Sequence, residues 1–184
     1  NVPTAKLPTV LQLFNKMATE ICEGQQYDVD FESQEAVNIE EYLHMIRLKT
    51  SVLLGTALQI GAYIAGADQE AQRAIYDFGI NVGLAFQIQD DILDVWGDPA
   101  TFGKAVGGDI ACNKKTFVFL TALQMADIDH RRTLENWYSR VLTDNTQKIA
   151  AVKSIFEAVG VRKACEEKVN DYTDTAMAIL ANLP

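Results

Sequence analysis

Apolar residues recur at helical spacing through nearly the whole chain, and no run alternates between apolar and polar residues as a half-buried strand would. This periodicity predicts an all-α fold, a helical bundle in which the strongly apolar second and third helices lie at the centre. The predicted helices cover residues 8–23, 38–65, 68–96, 115–125, 128–142, 146–159 and 161–181.

Composition limits the class of protein and its partners. With 184 residues, of which 48% are hydrophobic and 22% charged, the chain is expected to form a single helical domain, residues 1–184. Its net charge of −9 argues against nucleic acid or an anionic membrane surface as a partner, because both attract clusters of lysine and arginine. The same charge favours bound cations.

Cysteine usage and hydropathy indicate the cellular compartment of the protein. Cys22, Cys112 and Cys165 are odd in number and widely spaced, which indicates free thiols in a reducing, cytoplasmic setting. The uncharged stretch 51–67 is shorter than the roughly 20 residues of a membrane span and contains Gln59. It predicts a buried helix, and we expect no transmembrane segment.

Three carboxylates interrupt the apolar third helix. Asp90 and Asp94 are four residues apart and point the same way, and Asp91 lies beside them. Like charges at this spacing repel by about 0.2–0.5 kcal/mol per pair on an exposed helix, and by more beside apolar residues such as Ile88 and Ile92. Mg²⁺ binds one or two carboxylates together with waters and substrate phosphates, so the row predicts half of a phosphate-binding site rather than a solvated face.

Lysines near this row could bind such phosphates. A glycine-rich stretch, residues 103–109, carries Lys104, and Lys114 and Lys115 follow it. A flexible loop of this kind is suited to closing over a diphosphate and then releasing it. Lys49, in the apolar second helix, would tend to lose its charge without a partner, so we expect an anion close to it.

The motifs and their order resemble those of the trans-prenyltransferases, the polyprenyl diphosphate synthases of the farnesyl and geranylgeranyl diphosphate synthase type. The matching segments are Gly24-Gln25-x-x-Asp28, Lys49-Thr50, Phe86-Gln87 followed by Asp90, Asp91 and Asp94, and the loop from Gly103-Lys104 to Asp109 with Lys114. A DDxxD string alone would be a weak signal, but these ordered matches together are a strong one. The resemblance implies the C-terminal portion of an isoprenoid-synthase-type bundle, since nothing in residues 1–18 matches the family's first aspartate-rich motif.

The resemblance also implies roles for the matching residues. It places Lys49, Thr50 and Gln87 in catalysis, and it makes Lys115 the solvated member of the Lys114-Lys115 pair. The implied cofactor is Mg²⁺, and the implied partners are isopentenyl diphosphate, an allylic prenyl diphosphate and a second copy of the chain in a homodimer. The implied substrate-binding residues are Gln25, Lys49, Phe86, Gln87, Lys104 and Lys114, and the implied metal ligands are Asp28, Asp90, Asp91 and Asp94. From the residues alone, Gln25 and Asp28 could also simply follow a helix that ends at Gly24.

The implied reaction is the head-to-tail condensation of isopentenyl diphosphate with an allylic diphosphate. Because the first aspartate-rich motif is absent, we expect the chain as given to be inactive alone. The absence also keeps open a second class of function, a non-catalytic subunit or interaction domain of the same fold. A class I terpene cyclase is a third reading, but the DDxxD pattern argues against it, because cyclases usually carry an Asn/Asp, Ser/Thr, Glu triad at that position.

Overall fold

The computed structural model describes residues 2–98, 100 and 106–183, and in these residues the secondary structure is helical without a β-strand. The predicted all-α class is confirmed. A 3₁₀ turn, Thr4–Lys6, opens the chain, and a π-helical turn, Arg47–Ser51, connects the second and third helices. The α-helices are α1 (Leu7–Ser33), α2 (Ile39–Ile46), α3 (Val52–Ala65), α4 (Gln69–Trp96), α5 (Gly108–Ala111), α6 (Phe117–Met125), α7 (Ile128–Tyr138), α8 (Thr146–Ala158) and α9 (Val161–Ala181).

The chain divides into two compact units. The first comprises Asn1–Asp30, Leu43–Gln87 and Val169–Pro184, and the second comprises Phe31–Tyr42 and Ile88–Lys168. Each unit has its own apolar core. Buried side chains of the first unit include Met45, Ile46, Leu48, Val52, Ile80 and Leu84, and those of the second include Ile88, Ile92, Val95, Phe117, Val118, Leu134, Val152 and Phe156.

The end predicted for the first helix is wrong. Gly24 does not terminate α1, which continues to Ser33. Gly24 is buried, and a Cβ built on it would lie 2.4 Å from the backbone nitrogen of Lys49 and 2.8 Å from the carbonyl carbon of Leu48. The glycine is therefore in the helix because the neighbouring backbone approaches closely, not because the helix ends there.

A second glycine lies on the other side of the π-helical turn. A Cβ on Gly83 of α4 would lie 2.6 Å from the Cα of Ser51. Farther along α4, a Cβ on Gly79 would lie 2.6 Å from the Cα of Gly55. Within the first unit, the π-helical turn is thus held between α1 and α4 at contact distances that only glycine allows.

Gly24→Ala is expected to lower the free energy of unfolding by about 1–3 kcal/mol, because the obstructing atoms are backbone and cannot swing away. Gly61→Ala is the matched control. Gly61 is also inside a helix, but a Cβ there meets nothing within 4 Å, so alanine should stabilise the helix by roughly 0.5–1 kcal/mol. Urea denaturation followed by circular dichroism compares the two, and equal stabilisation by both would contradict the close packing at Gly24.

Among the described residues, one helical segment, Ile39–Ala65, is long and apolar enough to cross a membrane, judged by length and composition alone. The core helix of a soluble protein passes the same test, but only 28% of the apolar window is buried, and Leu53 and Leu58 are 48% and 38% exposed. The prediction of a buried helix over residues 51–67 is therefore wrong. Only the face that carries Gly55 packs closely, against Gly79 of α4. All three cysteines are free, as predicted. Burial raises the pKa of the Cys165 thiol to about 12.

Candidate functional site

Lys49 lies in the π-helical turn and pairs with a carboxylate of α1. Its Nζ is 2.6 Å from Oδ2 of Asp28. The side chains of Lys49 and Asp28 are 35% and 28% exposed, so both remain accessible to a ligand. The expectation of an anion close to Lys49 is confirmed. Asp28, which the resemblance assigns to metal binding, is thus the counter-ion of Lys49, and its binding of a metal stays a prediction.

Thr50 follows in the same turn, and its hydroxyl donates to Oε1 of Gln87 on α4 at 3.0 Å. Gly83, one turn before Gln87, makes the close contact with the π-helical turn, so the same packing that requires glycine brings this pair together. The first unit therefore contains both polar pairs, Lys49 with Asp28 and Thr50 with Gln87. Inserted π turns of this kind occur frequently at functional sites.

Two predicted substrate contacts in the first unit remain at the surface of this chain. Phe86 of α4 is 63% exposed, and Gln25 is exposed on α1. Neither side chain is used by the apolar core of the unit. Their predicted contacts with substrate are untested.

The three aspartates of α4 belong to the second unit, and each has different neighbours. Asp91 is buried, at 4% exposure. Its Oδ2 accepts hydrogen bonds from the hydroxyl of Tyr42 at 2.6 Å and from the backbone nitrogen of Phe117 at 3.0 Å. Since Phe117 is the first residue of α6, the carboxylate also lies at a helix N-terminus, where negative charge is favourable.

Asp94, one turn from Asp90, faces the segment around α5. Its Oδ2 accepts from the backbone nitrogen of Asp109 at 3.0 Å, and its carbonyl oxygen accepts from the backbone nitrogen of Gly107 at 2.6 Å. Asp109 in turn pairs with Lys114, whose Nζ is 3.2 Å from Oδ1. Burial raises the pKa of the Asp94 carboxyl and the charge of Asp109 adds to this, although backbone hydrogen bonds oppose the shift. A cation close to Asp94 would relieve the cost of its charge.

Asp90 is the least engaged of the three, since it makes no hydrogen bond or ion pair with another residue in the described ranges. No group of three or more His, Cys, Asp or Glu side chains in those ranges is arranged to hold a metal ion by itself. Lys104, predicted to bind diphosphate, lies outside the described residues. The metal and diphosphate roles therefore stay predictions.

Lys115 is partly buried, and the expectation that it would be the solvated lysine of the pair is wrong. Its Nζ donates to the carbonyl oxygen of Phe31 at 2.6 Å, and burial lowers its pKa. Sequence reasoning missed Tyr42 as the partner of Asp91, and it named Asp109 only as the end of the glycine-rich loop, not as the partner of Lys114. No pattern in the sequence identifies a hydrogen-bond partner on another helix.

Residues 2–159 match the model of the polyprenyl synthetase family. The chain belongs to the polyprenyl synthetase family. A geranylfarnesyl diphosphate synthase from Aeropyrum pernix is 36% identical to it over 173 residues, which are 94% of this chain and 53% of that protein. A crystal structure of a geranylgeranyl pyrophosphate synthase is 46% identical to this chain, with a TM-score of 0.93. The match covers 98% of this chain and 56% of the chain in that structure.

A third relative of the chain was solved with ligands. The geranylgeranyl pyrophosphate synthase from Corynebacterium glutamicum, complexed with isoprenyl diphosphate and magnesium, is 28% identical to this chain, with a TM-score of 0.89. The match covers 100% of this chain and 52% of the chain in that structure. The chain spans about half the length of these relatives. The predicted family and the isoprenoid-synthase-type fold are confirmed.

Proposed function

We propose that this polyprenyl synthetase acts as part of a polyprenyl diphosphate synthase, which condenses isopentenyl diphosphate with an allylic diphosphate to give a longer trans-polyprenyl diphosphate. The observation that carries the proposal is the contact of Asp94 with the segment that holds Asp109 and Lys114. In a chain of this family, an aspartate that contacts a lysine-bearing segment supports binding of a metal diphosphate, which needs both acidic groups and cations.

The residues of the second unit fit Mg²⁺. Asp90 and Asp94 offer carboxylate oxygens one helical turn apart, and Mg²⁺ needs only one or two carboxylates because waters and substrate phosphates complete its octahedron. Asp90 and Asp94 would hold the ion, whereas Asp91 already has a structural role through Tyr42 and Phe117. When bound, Mg²⁺ neutralises charge on the diphosphate and so helps it leave the allylic carbon. The relative solved with isoprenyl diphosphate and magnesium supports this choice of ion.

Each unit offers a lysine for diphosphate binding. Lys114 in the second unit and Lys49 in the first each have a carboxylate partner, Asp109 and Asp28, that holds the ammonium in place before substrate arrives. Lysine donates charge-assisted hydrogen bonds to phosphate oxygens, so each could bind a diphosphate group within its own unit.

Thr50 and Gln87 would act on the other product of ionisation, the allylic cation. Their hydrogen bond fixes the orientation of two neutral dipoles, which can stabilise a cation without attacking it as an amine would. The released diphosphate is a sufficient acceptor for the proton lost in condensation, so the proposed reaction needs no histidine base. A cytoplasmic homodimer without a transmembrane segment completes the proposal.

The test is a condensation assay on the full gene product with labelled isopentenyl diphosphate, allylic primers of several lengths and Mg²⁺, with products resolved by chain length. We expect a discrete prenyl diphosphate that disappears when EDTA removes the metal. A cyclised hydrocarbon would instead identify a terpene cyclase. A folded protein without turnover on any primer would identify a non-catalytic subunit.

A further inference from the structure

Lys148, in the first turn of α8, is fully buried, with 0% of its surface exposed. None of the ion pairs among the described residues involves it. Its Nζ instead donates to the carbonyl oxygen of Ala111 at 3.3 Å and to the side-chain oxygen of Asn113, and it lies 5.5 Å from the ring centroid of Tyr138. A buried ammonium here is held by neutral oxygens and an aromatic ring.

This position is unfavourable for a lysine. Moving an ammonium out of water costs several kcal/mol unless a charge compensates it, and burial accordingly lowers the pKa of Lys148. The first turn of a helix carries partial positive charge, which opposes a cation there. The hydrogen bonds to Ala111 and Asn113 offset part of this cost but leave the charge uncompensated, so stability is a weak reason for a lysine at this position.

The contacts of Lys148 fix a short segment of backbone. Ala111 is the last residue of α5, where carbonyl oxygens lack partners within the helix. Asn113 has a left-handed backbone, with φ of 58°, and its side-chain nitrogen donates to the carbonyl oxygen of Arg140 at 3.0 Å. Lys148 and Arg140 thus hold the Asn113 amide from both of its ends.

The neighbouring residue on α8 contacts the other end of the same segment. A Cβ on Gly107, whose φ is 87°, would lie 2.7 Å from Cγ2 of Ile149. Between these two contacts lies Asp109, whose backbone nitrogen donates to Asp94 and whose carbonyl oxygen accepts from the backbone nitrogen of Lys114 at 2.9 Å. The start of α8 therefore supports residues 107–114 from both ends, all within the second unit.

We propose that Lys148 is a positioning residue, which holds residues 107–114 so that Lys114 and Asp94 face a bound diphosphate. It acts through Ala111 and Asn113 and does not touch substrate. The inference rests on the proposed function, because it assigns the held segment to diphosphate binding.

The test compares Lys148→Met with the wild type in the full gene product. We expect a melting temperature that is unchanged or slightly lower, because two acceptors lose their donor while an unpaired charge is removed. We also expect faster amide hydrogen exchange in residues 107–114 without substrate and a KM for the allylic diphosphate raised about 10-fold. Lys153→Met, a lysine of the same helix that is only partly buried, is the matched control and should keep wild-type exchange and KM. Asn113→Ala should reproduce the effect on KM, and the double variant should add little to it.

The remaining outcomes decide against the proposal. Wild-type exchange and KM in Lys148→Met would overturn it, as would a loss of stability with unchanged KM, which would make Lys148 merely structural. If Lys148→Met fails to fold, an unchanged exchange and KM in Asn113→Ala overturns it. Failure of the proposed function is distinguishable, because the wild type would then not elongate prenyl diphosphates, whereas exchange in residues 107–114 still reports on positioning.

Discussion

Asp90→Asn is expected to lower kcat/KM for condensation by about 10²–10³-fold without destabilising the fold. In the described ranges Asp90 makes no hydrogen bond or ion pair that the substitution could break. Asparagine has nearly the same size, so the variant removes charge and little else. Loss of repulsion with Asp94 should even raise stability by about 0.2–0.5 kcal/mol. The variant should thus lose activity but keep its stability, as expected for a metal ligand.

Asp77→Asn provides the control for this separation. Asp77 lies on the same helix and is exposed, so it tests removal of one negative charge from α4 outside the aspartate row. We expect its steady-state kinetics at saturating Mg²⁺ to match the wild type, and its urea midpoint to differ little from that of Asp90→Asn. Equal activity in all three proteins would remove Asp90 from the proposed site.

The sequence was sufficient for those parts of the fold that depend on local signals. The helix 161–181 begins and ends where its periodicity and Gly160, with φ of 70°, indicate. Gly24 misled the same reasoning, because a glycine that ends a helix and a glycine that admits a neighbouring backbone look alike in one dimension. The distinction depends on Lys49, which is 25 residues farther along the chain.

The candidate site shows the same limit. Electrostatics alone predicted that Lys49 needs an anion, and this is correct. Spacing alone could not identify Asp28 as that anion, because the two residues lie on different helical segments. Nor could it separate Asp91 from Asp90, since adjacent aspartates of one motif differ only in what packs against them.

That difference between Asp90 and Asp91 leads to the prediction with the largest effect on stability. Asp91→Ala is expected to lower the free energy of unfolding by about 4 kcal/mol, because two buried donors lose their acceptor at roughly 1–3 kcal/mol each. They are the hydroxyl of Tyr42 and the backbone nitrogen of Phe117. Urea denaturation of the full gene product measures the loss.

Tyr42→Phe isolates one of the two contacts, since it removes the hydroxyl and leaves the ring and the bond from Phe117 in place. Its expected cost is about 1–2 kcal/mol, and in the double variant with Asp91→Ala it should cost less than it does alone, because its partner is already gone. If Asp91→Ala instead proves as stable as Asp90→Asn, Asp91 is not needed to connect α4 with α2 and α6. Within the five-residue motif from Asp90 to Asp94, charge would then serve ligand binding alone, and the buried hydrogen bonds of Asp91 would contribute nothing to the fold.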